Sequence, residues 1–201
     1  MRVLIACEES GRVREAFRKL KVDAWSCDII PSAIPGKHIQ CDVRKILSDK
    51  WDMMIAFPPC TYLTVTANRV FLNNPIRWKK RLAAMNFVYE LMNANIEKIC
   101  IENPIGVIST HIRKPDQIVH PYFFGDPYQK STCLWLKNLP LLKYKVTDNV
   151  DKGEFYTSPK GKKMPKWLAD SSSTNRPEMA KLRSRTFMGI ANAMATQWSN
   201  L

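Results

Sequence analysis

Apolar residues fall along the chain in two alternating kinds of run. Val3 to Ala6, Asp23 to Cys27, His38 to Cys41, Trp51 to Phe57 and Ile96 to Ile101 are short stretches of strand length, several of them apolar almost throughout. After the first of these, Val13, Ala16, Phe17 and Leu20 recur at helical spacing. Residues 76–94 carry the longest helical pattern, with Leu82, Met85, Val88 and Leu91-Met92 at three- and four-residue steps. Residues 186–198 predict a closing helix that packs back on the sheet. Strands that alternate with helices or long connections predict an α/β fold with a largely parallel sheet.

Each predicted strand runs into a polar or conformationally special cluster at its carboxyl end. These are Cys7-Glu8-Glu9-Ser10-Gly11, Asp28, Asp42, Pro58-Pro59-Cys60 and Glu102-Asn103-Pro104. In open parallel sheets ligands sit beyond the carboxyl ends of the strands, near the point where strand order reverses. The clusters therefore converge on one candidate site. Beyond residue 137 the periodicity fades. Residues 143–185 mix Lys, Gly, Pro and Ser and predict a small irregular insert between a main domain, 1–142, and the C-terminal helix, 186–201.

Charge changes this picture. The net charge is +13, and it is unevenly spread. Residues 137–185 hold twelve Lys and Arg against five acids, so the insert is the most basic part of the chain and predicts a polyanionic partner. Six cysteines stand singly with no CxxC pair, the usage of reduced thiols in a cytoplasmic setting rather than of a disulfide framework or zinc site. The N-terminus enters a strand directly, without the pattern of a secretory signal, and no apolar run is long enough to cross a membrane. His38, His111 and His120 lack metal-ligand spacing and read as structural or surface residues, with no metal site expected; Phe123-Phe124 and Trp135 read as core.

Two residues carry candidate chemistry. Cys60 follows two prolines that stiffen the turn and present the thiol, as a nucleophile requires, although an apolar neighbourhood suits a packing cysteine equally well. Glu102 ends the next strand and would share a pocket with Cys60, where a carboxylic acid can hydrogen-bond a pyrimidine; capping or pairing with a lysine is the rival role.

Phe57-Pro58-Pro59-Cys60, followed about forty residues later by Glu102-Asn103-Pro104, resembles the Pro-Cys and Glu-Asn-Val motifs of DNA cytosine-C5 methyltransferases. Gly189-Ile190-Ala191-Asn192-Ala193-Met194 resembles a loosened form of that family's terminal motif. The resemblance spans residues 1–136 and 186–198 and is nearest to compact phage-encoded members. It implies a Rossmann-like α/β methyltransferase domain using S-adenosylmethionine, double-stranded DNA as partner, and a flipped cytosine as target. Cys60 and Glu102 would be catalytic. Cys7, Glu8, Ser10, Gly11, Asp28, Ile29, Asp42, Val43, Pro59, Asn192 and Ala193 would hold the cofactor. Lys130 and the insert lysines Lys160, Lys162, Lys163 and Lys166 would contact DNA.

The chain departs from the family in three ways. Its first loop has one glycine, Lys130 is the only cation where the family has paired arginines, and the large target-recognition domain is absent or reduced to the insert. The alternatives are an amino-methyltransferase, C5 chemistry on a free nucleotide, and a DNA-binding protein that keeps the fold without activity. The first is disfavoured because Cys60, and no aromatic residue, follows the prolines; the second is disfavoured by the basic insert.

Overall fold

The computed structural model describes residues 1–145, 150–159, 161–167 and 186–201. Lys160 and residues 168–185 of the insert lie outside them. Five parallel strands form the centre of the sheet: β1 (Arg2–Ala6), β2 (Asp23–Asp28), β3 (His38–Gln40), β4 (Met53–Ala56) and β5 (Lys98–Pro104). Two further strands, β6 (Gln117–Val119) and β7 (Thr132–Lys137), pair antiparallel with each other, and β7 pairs antiparallel with β5. The order is β3-β2-β1-β4-β5-β7-β6. It grows in opposite directions from β1 and β4, so the switch point lies between them. The predicted Rossmann-like α/β sheet flanked by helices is the one the chain forms.

Strand parity builds both layers. Val3 and Ile5 of β1 face the layer that contains α1 (Arg12–Lys19) and the C-terminal helix α4 (Met188–Trp198), where Phe17, Ile190, Met194 and Trp198 are buried. Leu4 and Ala6 face the other layer, with Val88 and Leu91 of α2 (Pro75–Met92) and Trp135. A short helix, α3 (Ile108–His111), follows β5.

Two local expectations differ from the structure. Leu82 is 59% exposed, while its neighbour Arg81 is buried. The first turns of α2 cover the loop after Cys60 instead of the sheet, and Arg81 serves that loop. In the insert, the part described contains an antiparallel hairpin, β8 (Phe155–Thr157) with β9 (Lys163–Pro165), where irregular chain was expected. Tyr156 opposite Met164 gives it a cross-strand pair, and Gly161 takes the left-handed conformation its turn needs.

Candidate active site

β4 and β5 are in register, with Ala56 opposite Ile101; β4 ends there, so Phe57 leaves the sheet beside Glu102, which continues in β5 paired with Leu134 of β7. The Pro58-Pro59 turn then carries Cys60 over the same strand ends. Asn103 fixes this approach: it is 1% exposed, and its Nδ2 donates to the Pro58 carbonyl at 2.7 Å. Its Oδ1 is buried and has no partner among the described residues. The Cys60 carbonyl accepts from the amides of Leu63 and Thr64 at 2.9 and 3.1 Å, closing a tight turn. Thr64 bridges Gly106, and the Val107 amide donates to the Leu63 carbonyl at 2.8 Å. Any Cβ on Gly106 would meet that carbonyl oxygen at 2.1 Å, so only glycine allows the two loops to join.

Arg81 closes the third side. Its guanidinium donates to the carbonyls of Tyr62 (2.8 Å) and Thr64 (3.3 Å) and to Asn68 Oδ1 (2.9 Å), and it lies 3.6 Å from the Phe71 ring.

Cys60 and Glu102 sense one another. Burial raises the Cys60 thiol pKa, the Glu102 charge raises it further, and Lys130 opposes both. Burial likewise raises the Glu102 carboxyl, again opposed by Lys130. Lys130 stands two residues before Thr132, which pairs with Pro104 at the end of β5, and its Nζ lies 5.8 Å from the Phe187 ring. The cluster thus brings together a thiol and a carboxyl, both raised in pKa by burial, and the Lys130 ammonium. When Glu102 is neutral, its repulsion of a Cys60 thiolate vanishes and the attraction of Lys130 remains.

The other strand ends lie across the switch point. Cys7 has a positive φ of 58°, and its thiol is pushed up to about 12 by burial and then by the charges of Asp28 and Asp42. Asp28 and Asp42 therefore face one space at the ends of β2 and β3, with Ile29 beside them 72% exposed. Asp28 Oδ1 accepts the Ile30 amide at 3.2 Å, and Asp42 caps the turn at Val43, which is buried. Asp42 Oδ1 accepts the Arg44 amide at 3.0 Å and Oδ2 pairs with the Arg44 guanidinium at 3.3 Å.

Glu8 points elsewhere. It is 4% exposed and accepts the Val13 and Arg14 amides at 2.7 and 3.3 Å, with Ser10 Oγ at 3.4 Å, so its carboxylate caps α1. Gly11, at φ 69°, makes the turn into that helix. Pro59 is exposed next to Cys60. Asn192 is exposed on α4 and Ala193 is buried, and the helix packs against α1. The nearby glycine, Gly189, lets its amide reach Asp126 Oδ2 at 2.7 Å, where a Cβ would lie 2.2 Å from the Phe124 carbonyl oxygen.

The basic residues separate. Lys130 belongs with Cys60 and Glu102. Lys162 and Lys163 are exposed at the hairpin end, with Lys163 Nζ 4.8 Å from the Phe155 ring. Lys166 pairs with Glu154 at 2.6 Å. Lys160 lies outside the described residues. Asn103 and Arg81 were not singled out from the sequence as site residues. Asparagine directly after a glutamate at the end of an apolar run, three residues before glycine, was the only local signal. Among the described residues, no three His, Cys, Asp or Glu side chains gather as a metal would require.

No family model and no curated protein matches the chain. Among solved structures it is similar to a protein encoded within an E. coli prophage and assigned as a DNA modification methyltransferase, at 16% identity and a TM-score of 0.43, covering 68% of this chain and 46% of that one. It is also similar to an Entamoeba histolytica methyltransferase, at 16% identity and a TM-score of 0.47, covering 77% of this chain and 58% of that one. The chain thus spans about half the length of these two structures.

Proposed function

We propose that the protein is an S-adenosylmethionine-dependent methyltransferase that acts on C5 of cytosine in DNA through Cys60. The observation that carries this reading is the joining of the Cys60 turn to the Glu102 strand end through the Asn103–Pro58 hydrogen bond of 2.7 Å. A packing cysteine needs no such support, and a capping glutamate would not face it. Asp28 and Asp42, with Cys7, Ser10 and Ile29 around them, would hold the cofactor, which supplies an electrophilic methyl group.

In this mechanism the Cys60 thiolate forms a bond to C6 of the cytosine as the C5–C6 double bond opens. Glu102, held toward its neutral form by burial, donates its proton to N3 and spreads the developing charge. C5 is then nucleophilic toward the methyl group, which the cofactor's sulfonium would give up by breaking its S–CH3 bond and leaving as a neutral thioether. Loss of the C5 proton to solvent restores the double bond, breaks the Cys60–C6 bond, and returns the N3 proton to Glu102. Covalent addition divides one difficult substitution into two easier steps. Lys130 holds the thiolate during the first of them. The base has to leave the duplex to reach a thiol at a strand end, and the net charge of +13 supports a duplex partner.

The test is a duplex in which 5-fluorocytosine replaces cytosine. Fluorine cannot leave as a cation, so the Cys60–C6 bond persists after methyl transfer and the protein migrates as a denaturation-resistant adduct. Cys60→Ser should form no adduct and should keep cofactor affinity within a few-fold. If the wild type methylates ordinary duplex yet forms no adduct, the covalent route is wrong. If Cys60→Ser retains turnover, the amino-methyltransferase alternative returns.

A further inference from the structure

α2 is apolar on two faces. Arg81, Val88 and Leu91 turn toward the rest of the fold and are buried. Trp78, Leu82, Met85, Tyr89 and Met92 recur at steps of four, three, four and three residues, the spacing at which one helix presents a continuous seam to another. Among the described residues nothing covers that seam: Trp78, Leu82 and Tyr89 are 45%, 59% and 56% exposed, and Met85 and Met92 are only partly buried. A helix that is apolar all round is normally enclosed on every side. An uncovered apolar strip of this kind marks an interaction surface.

The C-terminal end of the seam opens into a cleft. Tyr89 and Met92, with Ile99, Ile112 and Leu136, line a cavity of about 570 Å³. The polar groups around it are engaged. Arg113 pairs with Asp116 at 2.8 Å, and Lys137 Nζ donates to the Ala94 and Ile96 carbonyls. Asn93 and Asn138 donate to the carbonyls of Tyr89 and Glu97. What the cleft offers is apolar surface, which suits a bulky apolar side chain better than a phosphate or a base.

The other end of the same seam carries such a side chain, Trp78. Trp78 and Met92 stand about 21 Å apart along the helix at 1.5 Å per residue, one on each side of Met85. When two α2 helices run antiparallel about Met85, the Trp78 of each lies opposite the other's Met92 and meets the cleft beside it. Charge sets the same direction. α2 has no acid in its first turn and no base in its last. Arg77, Lys79 and Lys80 instead add positive charge where the helix dipole is already positive. An antiparallel second copy brings the negative end of its helix beside those cations, whereas a parallel one sets cation against cation. Glu90 takes no part, since Arg44 and Asn86 each hold its carboxylate at 2.6 Å.

We propose that the α2 seam is the interface of a two-fold symmetric dimer, with Trp78 of each chain seated in the cleft of the other. The occupant is a second copy of this chain because knob and cleft lie on one helix at equal distances from Met85, as a two-fold interface requires. The surface includes neither Cys60 nor Glu102, so the dimer stands independently of the methylation reading.

The test is sedimentation equilibrium of the full chain without DNA. The wild type should sediment as two chains. Leu82→Glu and Tyr89→Glu should each raise the dissociation constant about a hundredfold, because every dimer loses the side chain twice. Both side chains are exposed in the single chain, so neither change should disturb folding, which circular dichroism checks. Orientation is read by copper-catalysed oxidation with dissolved oxygen. Met85→Cys should link to its own copy through a disulfide absent from the wild type, while Lys79→Cys, about 18 Å from its counterpart along the helices, should not. A wild type that sediments as one chain at every soluble concentration overturns the proposal. So does a dimer that Leu82→Glu and Tyr89→Glu both leave intact, which would place the interface elsewhere. Linkage of Lys79→Cys to the same extent as Met85→Cys, or a greater one, overturns the antiparallel pair. Weaker duplex binding by Leu82→Glu in a protein that is otherwise a single chain would give the seam to nucleic acid instead.

Discussion

Glu8 lies just past the carboxyl end of β1 and Glu102 among the last three residues of β5, and burial raises the pKa of both. Glu8 is drawn into the start of α1, where the Val13 and Arg14 amides and Ser10 occupy its oxygens. Glu102 has no hydrogen bond from the described residues, and its neighbours are a thiol and an ammonium group. One acid has been used by the fold, and the other is the one that the proposed function gives to the substrate. A strand-end carboxylate near a switch point is therefore a poor guide to chemistry until the partners of its oxygens are known.

The comparison is broken most directly by neutralising each acid in turn. Glu102→Gln should lower kcat by about 10²–10⁴, the range of a single acid–base group, and leave thermal stability unchanged. Glu8→Gln should leave kcat of the folded protein within a few-fold. If the two variants behave alike, the division between a capping and a reacting carboxylate is false.

A smaller effect concerns pH. The Glu8 carboxyl is raised from 4.5 to about 7, chiefly by burial. An acid with a raised folded-state pKa gives its stability in full below the unfolded value and loses it as pH rises through the folded one. The window is therefore about pH 4.5 to 7, and the loss is roughly 3 kcal/mol from 1.36 kcal/mol per unit. Urea denaturation at pH 5 and pH 8 should show this decline in the wild type and a flatter dependence in Glu8→Gln. Equal slopes would mean that Glu8 is ionised in the fold throughout.

Asn103→Ala removes the tie between the two motifs and should cost about 1–3 kcal/mol, as loss of a buried hydrogen-bond partner does. It should also lower kcat while cofactor binding, measured by calorimetry, stays constant. Loss of stability without loss of kcat would reduce Asn103 to a structural residue. The mildest change is Lys130→Met. Lys130 lowers the Cys60 pKa, so its removal raises that pKa and moves the rising limb of the pH–rate profile to higher pH. A limb that stays in place would separate Lys130 from the thiol.

The five central strands were legible because parallel strands buried on both faces read as nearly continuous apolar runs, as Val3 to Ala6 and Met53 to Ala56 do. β6 was not, since three residues with Gln117 at one end and a 44% exposed Ile118 leave no periodicity to see. Cys60 and Glu102 could be picked out because Cys60 follows β4 and Glu102 stands where the apolar run of β5 stops. The inward turn of Glu8 could not, because its oxygens are claimed by amides five and six residues later, after a left-handed glycine. The Asn103–Pro58 bond spans forty-five positions. Nothing in the sequence sets Arg81 apart from Arg77, Lys79 and Lys80, because the carbonyls it serves, those of Tyr62 and Thr64, lie nineteen and seventeen positions away.

The joint between the Leu63 carbonyl and Gly106 has a consequence for exchange between proteins. Residues 57–64 and 102–107 are two pieces of chain, yet they form one part with a single internal fit. Moving the cysteine turn alone into another α/β sheet would set its carbonyl against whatever side chain replaces Gly106. Moving both together carries the Cys60 thiol, the Glu102 carboxyl and their spacing as one transplantable cassette. A host sheet would need only two adjacent parallel strands in the register of Ala56 and Ile101 to accept it.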